Sequence, residues 1–126
     1  LEGAVSAAVK IYTLASCSTC REATKWLRAR GVAFDEHPIR ETPPTLPELR
    51  AMLAAHDGSL GKLCNSSGRE YRAQKIAGKL PALSEAEQLA LLAGNGSLVK
   101  RPFLVGAGVA LVGFDPEKWA AAFAKK

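Results

Sequence analysis

The sequence is short of cysteines, aromatics and long apolar runs, and each shortage removes a class of protein. Three cysteines in 126 residues cannot all pair, and a single bridge is too sparse for the disulfide framework of a small secreted domain. Aromatics make up 6% of the chain and do not alternate with basic residues, as the stacking platforms of a nucleic-acid binder would. The longest apolar-leaning stretch, Phe103–Phe114, is broken by glycines and falls far short of a ~20-residue membrane span. The net charge is +5, yet the seventeen Lys and Arg are scattered and no long block of like charge occurs. Direct nucleic-acid binding is therefore not expected. A small anionic substrate or an acidic protein partner stays open. The opening LEGAVSAAV lacks the basic start of an export signal. Residues 1–8 are expected to form a flexible N-terminus, and the chain to work in the cytoplasm.

What remains is an ordinary globular composition, 48% apolar and 23% charged, long enough for one core. Residues 9–126 read as a single domain. Val9–Leu14 (VKIYTL) has the β-branched and aromatic character of a strand. Ser18–Arg30 follows as a helix, with Ala23, Trp26, Leu27 and Arg30 at three- and four-residue spacings, and Gly31 closes it. Val32–Ile39 reads as a second strand, which makes a β-α-β unit with parallel strands.

A helical insert is expected over about 45–93. Thr45 caps a helix that runs to about Ala55, with Pro47 and Glu48 in its first turn. Gly58–Tyr71 is turn-rich, with one short helix near Leu60–Cys64. Ser84 and Glu87 form a capping box for a helix over Glu85–Ala93. Beyond it, Phe103–Val105 and Val109–Val112 flank Gly106-Ala107-Gly108 as a hairpin. Asp115 then caps a last helix with Pro116 at its first position and Trp119, Ala122 and Phe123 on its buried stripe. The order β-α-β, insert, β-β-α is that of the thioredoxin fold: a four-stranded mixed sheet with flanking helices.

LASCSTCR places Cys17 and Cys20 where the first strand gives way to the first helix. A metal clip, inert thiols and a redox pair are the readings to separate. Zinc needs four ligands, and Cys64, His37 and His56 would have to supply two with no second paired motif, so no metal is expected. At a helix N-terminus, unpaired N–H groups favour a thiolate and cradle an anionic substrate beside it. Cys17 is then the attacking thiol, and Cys20, one turn on, the resolving thiol of a redox-active disulfide. Ser18 and Thr19 lie between them, and Arg21 adds positive charge nearby.

Cys64 is expected to pack as a small apolar residue, with a resolving role as the alternative. His37 and His56 read as surface or strand-end residues, and Trp26 and Trp119 as core. In thioredoxin folds a cis proline precedes the third strand beside the active cysteine. Pro102 holds that place, and Arg101 before it would face the thiolate and bind an oxyanion bidentately.

Four segments, CSTCREATKWL, LCNSSGREYR, LSEAEQLALLAGNGSLVKRPFLV and LVGFDPEKW, resemble those of the arsenate reductase (ArsC)/Spx family of thioredoxin-like proteins. The resemblance implies that Cys17 holds the catalytic or sensing position. It implies that Arg101 contacts the oxyanion or the thiol, and that Pro102 is the cis proline. Asn65, Ser67, Gly68, Tyr71 and Arg72 match the family's Asn-x-Ser-Gly-x-x-Tyr-Arg segment, which would support the site. Arsenate reductases of this type carry Cys-Gly-x-Ser-Arg and a further late arginine. This chain has Cys-Ser-Thr-Cys-Arg and Gly113-Phe114, closer to the Spx and YffB-like branches.

Two redox functions follow as expectations, beside a thioredoxin-like interaction domain with no redox role. One is a thiol-dependent oxidoreductase acting on a small anion such as arsenate or on a glutathione mixed disulfide, with glutathione or glutaredoxin as reductant and no bound cofactor. The other is an Spx-type redox-switched regulator that docks on RNA polymerase without turnover.

Overall fold

The computed structural model describes residues 9–66 and 68–124. The N-terminus expected over residues 1–8, and Ser67, lie outside the described residues. The strands are β1 (Val9–Thr13), β2 (Phe34–Pro38), β3 (Phe103–Gly106) and β4 (Val109–Val112). The helices are α1 (Ser18–Ala29), α2 (Leu46–Ala55), α3 (Arg69–Ala73), α4 (Ile76–Lys79), α5 (Glu85–Gly94) and α6 (Pro116–Ala124). The sheet order is β2-β1-β3-β4, with β1–β2 parallel and the other two pairs antiparallel. This is the thioredoxin-like arrangement.

Strand alternation divides the core between the two faces of the sheet. The register sets Ile11, Leu104 and Leu111 in one row and Tyr12, Phe103 and Val112 in the next. Side chains of successive residues point to opposite faces, so the rows serve different helices. The first row packs with Val9, Ala23, Leu27 and Trp119 under α1 and α6. The second packs with Leu49, Met52, Leu89 and Leu92 under α2 and α5. Each fully buried leucine contributes roughly 2 kcal/mol of burial free energy.

The ends of the elements follow local chemistry. Gly31 takes φ +71, and Val32 donates its N–H to the Leu27 carbonyl at 3.0 Å. Val32 is thereby used to finish α1, and β2 begins at Phe34 rather than at Val32 as expected. Both α2 and α5 open with reciprocal capping boxes, Thr45 with Glu48 and Ser84 with Glu87.

Three packing expectations change. The buried stripe of α1 is Cys20, Ala23, Thr24 and Leu27, whereas Arg30 is exposed and lays its guanidinium 4.4 Å over the ring of the half-buried Trp26. On α6 only Trp119 is fully buried, and Ala122 and Phe123 are half-buried. The stretch beyond the 3-10 turn Leu60–Leu63 holds α3 and α4, two short helices that the sequence reading left out. They are separated by Lys75 in the left-handed region at φ 53, and α4 is anchored by the fully buried Ile76. Among the described residues, no helix is long and apolar enough to cross a membrane.

Candidate functional site

The site begins at the carboxyl end of β1. A turn closed by the Cys17 N–H on the Leu14 carbonyl, at 2.9 Å, delivers the chain to the start of α1. Cys17 is the N-cap residue, in extended conformation (φ −90, ψ 111), and its Sγ accepts the N–H of Cys20 at 3.2 Å. The sulfur thus stands where serine or aspartate oxygens usually stand, satisfying a helix-end amide. Cys17 is half-buried. Ser18 and Thr19 form the exposed first turn.

Cys20 lies in different surroundings. It is 2% exposed against the sheet, and burial, followed by its contact with Cys17, pushes its thiol up to about 12. The charge of Arg101 pulls the Cys20 thiol the other way. Arg21 turns back on the loop and donates from Nη1 to the Ala15 carbonyl at 2.8 Å, so its charge is tied to the turn before the helix. All three cysteines are free thiols.

Across the sheet the Arg101–Pro102 peptide is cis, as the fold resemblance implies. Pro102 is buried and Arg101 half-buried. The Nη1 atom of Arg101 is buried with no hydrogen-bond partner among the described residues. A buried guanidinium N–H without an acceptor is costly, and an anionic ligand would supply the acceptor.

Arg101 forms a wall of two clefts. The first, about 570 Å³, is lined by Thr19, His56, Lys62, Lys100, Gly113 and Lys118 among others. The second, about 590 Å³, is lined by Arg40, Asn65, Gly68, Arg69, Glu70 and Ser97. Asn65 is held there by its N–H on the Leu98 carbonyl, 2.8 Å, while its own carbonyl accepts the Gly68 N–H at 2.9 Å. The Asn65 amide folds over Gly68 so closely that a side chain on Gly68 would collide with it.

The fold therefore brings Thr19 and Arg101 together in one cleft and Asn65 and Arg101 in the other. Arg72 is exposed on α3 and lines neither of these clefts. Tyr71 packs half-buried against the cluster that holds Cys64. Cys64 itself is 3% exposed, and burial pushes its thiol up to about 11. His37 stacks against Tyr12 with ring centroids 5.4 Å apart, and His56 closes α2 with Nδ1 2.9 Å from the Met52 carbonyl. Among the described residues no three His, Cys, Asp or Glu side chains converge as metal ligands.

The lysines of the first cleft were not singled out from the sequence. Lys62, Lys100 and Lys118 are far apart in the chain, and their charges gather only because the 3-10 turn Leu60–Leu63, the β3 entry and α6 meet at one rim. The adjacency of Lys100 to Arg101 was the one local signal.

A free cysteine pair at the start of the first helix of a thioredoxin-like sheet, together with a cis proline at the entry of β3 and a half-buried arginine before it, defines a thiol-bearing member of that fold. The chain belongs to the ArsC family, whose model matches residues 12–122. It is 41% identical to the uncharacterized protein YusI of Bacillus subtilis, over 86% of this chain and 96% of that protein. It is 27% identical to the global transcriptional regulator Spx of Streptococcus agalactiae, over 87% of this chain and 79% of that protein. The crystal structure of an ArsC family related protein from Bacteroides fragilis is similar to it with a TM-score of 0.82 and 39% identity, covering 91% of this chain and 97% of that one.

Proposed function

We propose that the protein is a thiol-dependent oxidoreductase in which Cys17 is the nucleophile and Cys20 the resolving thiol. The observation that carries this reading is the Cys17 sulfur at the N-terminus of α1, where it accepts the Cys20 N–H. Donors there stabilise negative charge on sulfur and on a bound anion alike.

With a glutathione mixed disulfide as substrate, the Cys17 thiolate attacks the glutathione sulfur. The substrate disulfide breaks, its other sulfur leaves as a thiolate and takes a proton, and a Cys17–glutathione disulfide forms. Cys20 then loses its proton and attacks the Cys17 sulfur. Glutathione leaves as thiol, the Cys17–Cys20 disulfide remains, and two electrons have passed to the substrate. Glutathione or glutaredoxin returns the pair to the dithiol, and no bound cofactor is needed.

The environment of Cys20 suits that order. Burial and the neighbouring Cys17 both keep it protonated. Once Cys17 is in a disulfide, the contribution of its charge vanishes, while the pull of Arg101 remains. The resolving thiol is thus easier to ionise after the first step than before it.

The test is reduction by the purified chain of a glutathione mixed disulfide with glutathione alone, and of arsenate with glutathione and glutaredoxin, each read above the rate without the chain. Turnover that disappears in Cys17→Ser supports the reading. Turnover that persists in that variant removes it.

A second reading is favoured by the Spx relatives: oxidation of the pair alters a surface that docks on RNA polymerase. Retention of RNA polymerase by the dithiol but not the disulfide form, or the reverse, would support it. Equal retention of both forms, or none, would not.

A further inference from the structure

Gly113 closes β4 with φ +72, a backbone conformation that favours glycine. Both of its polar groups are engaged. Its N–H donates to the Pro102 carbonyl at 2.8 Å, and its carbonyl accepts the indole N–H of Trp119 at 3.1 Å. The turn is thereby tied to the residue after Arg101 on one side and to the core of α6 on the other.

Where a side chain would stand at Gly113, Lys100 lies instead. A Cβ on Gly113 would come within 3.1 Å of Lys100 Cε and 3.7 Å of its Nζ. The contact is with the far end of the lysine, so the bare glycine backbone is the bed on which the ammonium rests. The near end is also held, because the Lys100 N–H donates to the Leu63 carbonyl at 2.8 Å.

Lys100 and Gly113 line the same cleft as Thr19 and Arg101. The carboxylate on that wall, Asp115, accepts the backbone amides of Glu117 and Lys118 at the start of α6. The ion pair found among the described residues joins Lys10 to Glu48, elsewhere in the fold. Among the described residues Lys100 has no ion-pair partner, and it adjoins an arginine whose buried Nη1 lacks an acceptor.

We propose that Lys100 is a substrate-positioning residue. Its ammonium, laid across Gly113, is the second cation beside Arg101 and holds an anionic oxygen group of the substrate, an oxyanion or a carboxylate. A Cβ at 113 would stand 3.1 Å from Lys100 Cε, so the bare glycine lets the lysine end lie closest to the turn. This assignment rests on the reading that the cleft receives an anionic substrate.

The experiment is titration calorimetry with inorganic phosphate, and with acetate as a carboxylate, on the folded chain and its variants. Lys100→Met keeps the stem and removes the charge, and phosphate binding weakens about tenfold. Lys100→Arg retains most of it. Lys62→Met and Lys118→Met, at the rim, change it less than about twofold. Gly113→Ala, checked for folding by circular dichroism, shifts the lysine end by a few tenths of an ångström and weakens binding less than Lys100→Met does, and it adds nothing in the Lys100→Met background. Where turnover is measurable, Lys100→Met raises KM and leaves kcat unchanged.

Three results would overturn the assignment: no binding of either anion to the unaltered chain, equal losses in all three lysine variants, or wild-type binding in Lys100→Met. Cys17→Ser separates the two levels. It loses turnover, while Lys100→Met still weakens phosphate binding in the Cys17→Ser background, so failure of the thiol chemistry and failure of the Lys100 assignment are distinguishable.

Discussion

The backbone N–H of Cys20 donates to the sulfur of Cys17 at 3.2 Å, yet the two cysteines of this single turn stand in opposite surroundings. Cys17 is half-buried at the mouth of the turn, and Cys20 is sealed against the sheet. Accessibility and thiolate content together set alkylation rates. At pH 8 iodoacetamide should therefore label Cys17 at least about a hundredfold faster than Cys20 or Cys64. Peptide mass spectrometry after timed quenching reads the order. Labelling of Cys20 ahead of Cys17 in the folded protein would reverse the proposed roles.

If Cys20 resolves the intermediate, removing it should arrest the cycle after the first bond change. Cys20→Ser incubated with oxidised glutathione is expected to accumulate a one-to-one Cys17–glutathione adduct, visible by intact mass. The parent chain should instead pass to the Cys17–Cys20 disulfide, two hydrogens lighter than the dithiol. Adduct levels that match in both would show that Cys20 does not resolve. Serine changes the volume little but buries a hydroxyl, so the fold of this variant is checked by circular dichroism.

The thioredoxin order was legible because its outer units carry strong local signals. VKIYTL, the Gly31 stop, the Gly106-Ala107-Gly108 turn and the Asp115-Pro116 cap each have a mechanism that acts within a few residues. The candidate site was legible for a different reason, since its cysteine pair and Arg101-Pro102 match family segments. What escaped was produced by tertiary placement. The helices α3 and α4 are five and four residues long, too short to show a helical period. Gly96 owes its identity to the Ile39 carbonyl, which lies where a Cβ would stand. Lys62, Lys100 and Lys118 become one charged rim only after the sheet is assembled.

The second core face depends on a carboxylate that serves three partners at once. Glu48 Oε1 accepts the Tyr12 hydroxyl at 2.6 Å and the Thr45 N–H at 2.9 Å, and Oε2 receives Lys10 Nζ at 2.9 Å. Burial favours its neutral form, but the bonds from Tyr12, Thr45 and Lys10 outweigh that and hold its carboxyl below the usual range. The group is charged in the fold above the ordinary carboxylate range, so its contribution is complete there and lost as pH falls through the lowered value. Glu48→Ala leaves the buried Tyr12 hydroxyl unpaired and should cost about 2–4 kcal/mol in urea unfolding. Glu48→Gln can keep both Oε1 bonds and lose only the lysine pair, at about 1 kcal/mol. It should also lose part of the acid sensitivity. Equal costs for the two variants would show that the lysine pair, not the Tyr12 and cap bonds, carries the stabilisation.

Cys64 supplies the corresponding test at alkaline pH. Burial beside Tyr71 and the Leu60 carbonyl pushes its thiol from an ordinary 9.0 up to about 11. In the unfolded chain the thiol ionises first, so between these values the folded state holds the extra proton. Stability then falls as pH rises, because ∂ΔG/∂pH is negative wherever the native state binds more protons. The contribution is fully present below about 9 and lost as pH climbs through about 11. Cys64→Val fills a similar volume without a titrating group, so its Tm should decline less steeply over this interval than that of the parent. Parallel declines would mean that Cys64 titrates as an exposed thiol does. They would also reopen it as a partner for the Cys17–Cys20 pair, since only an accessible, ionisable sulfur can take part in exchange.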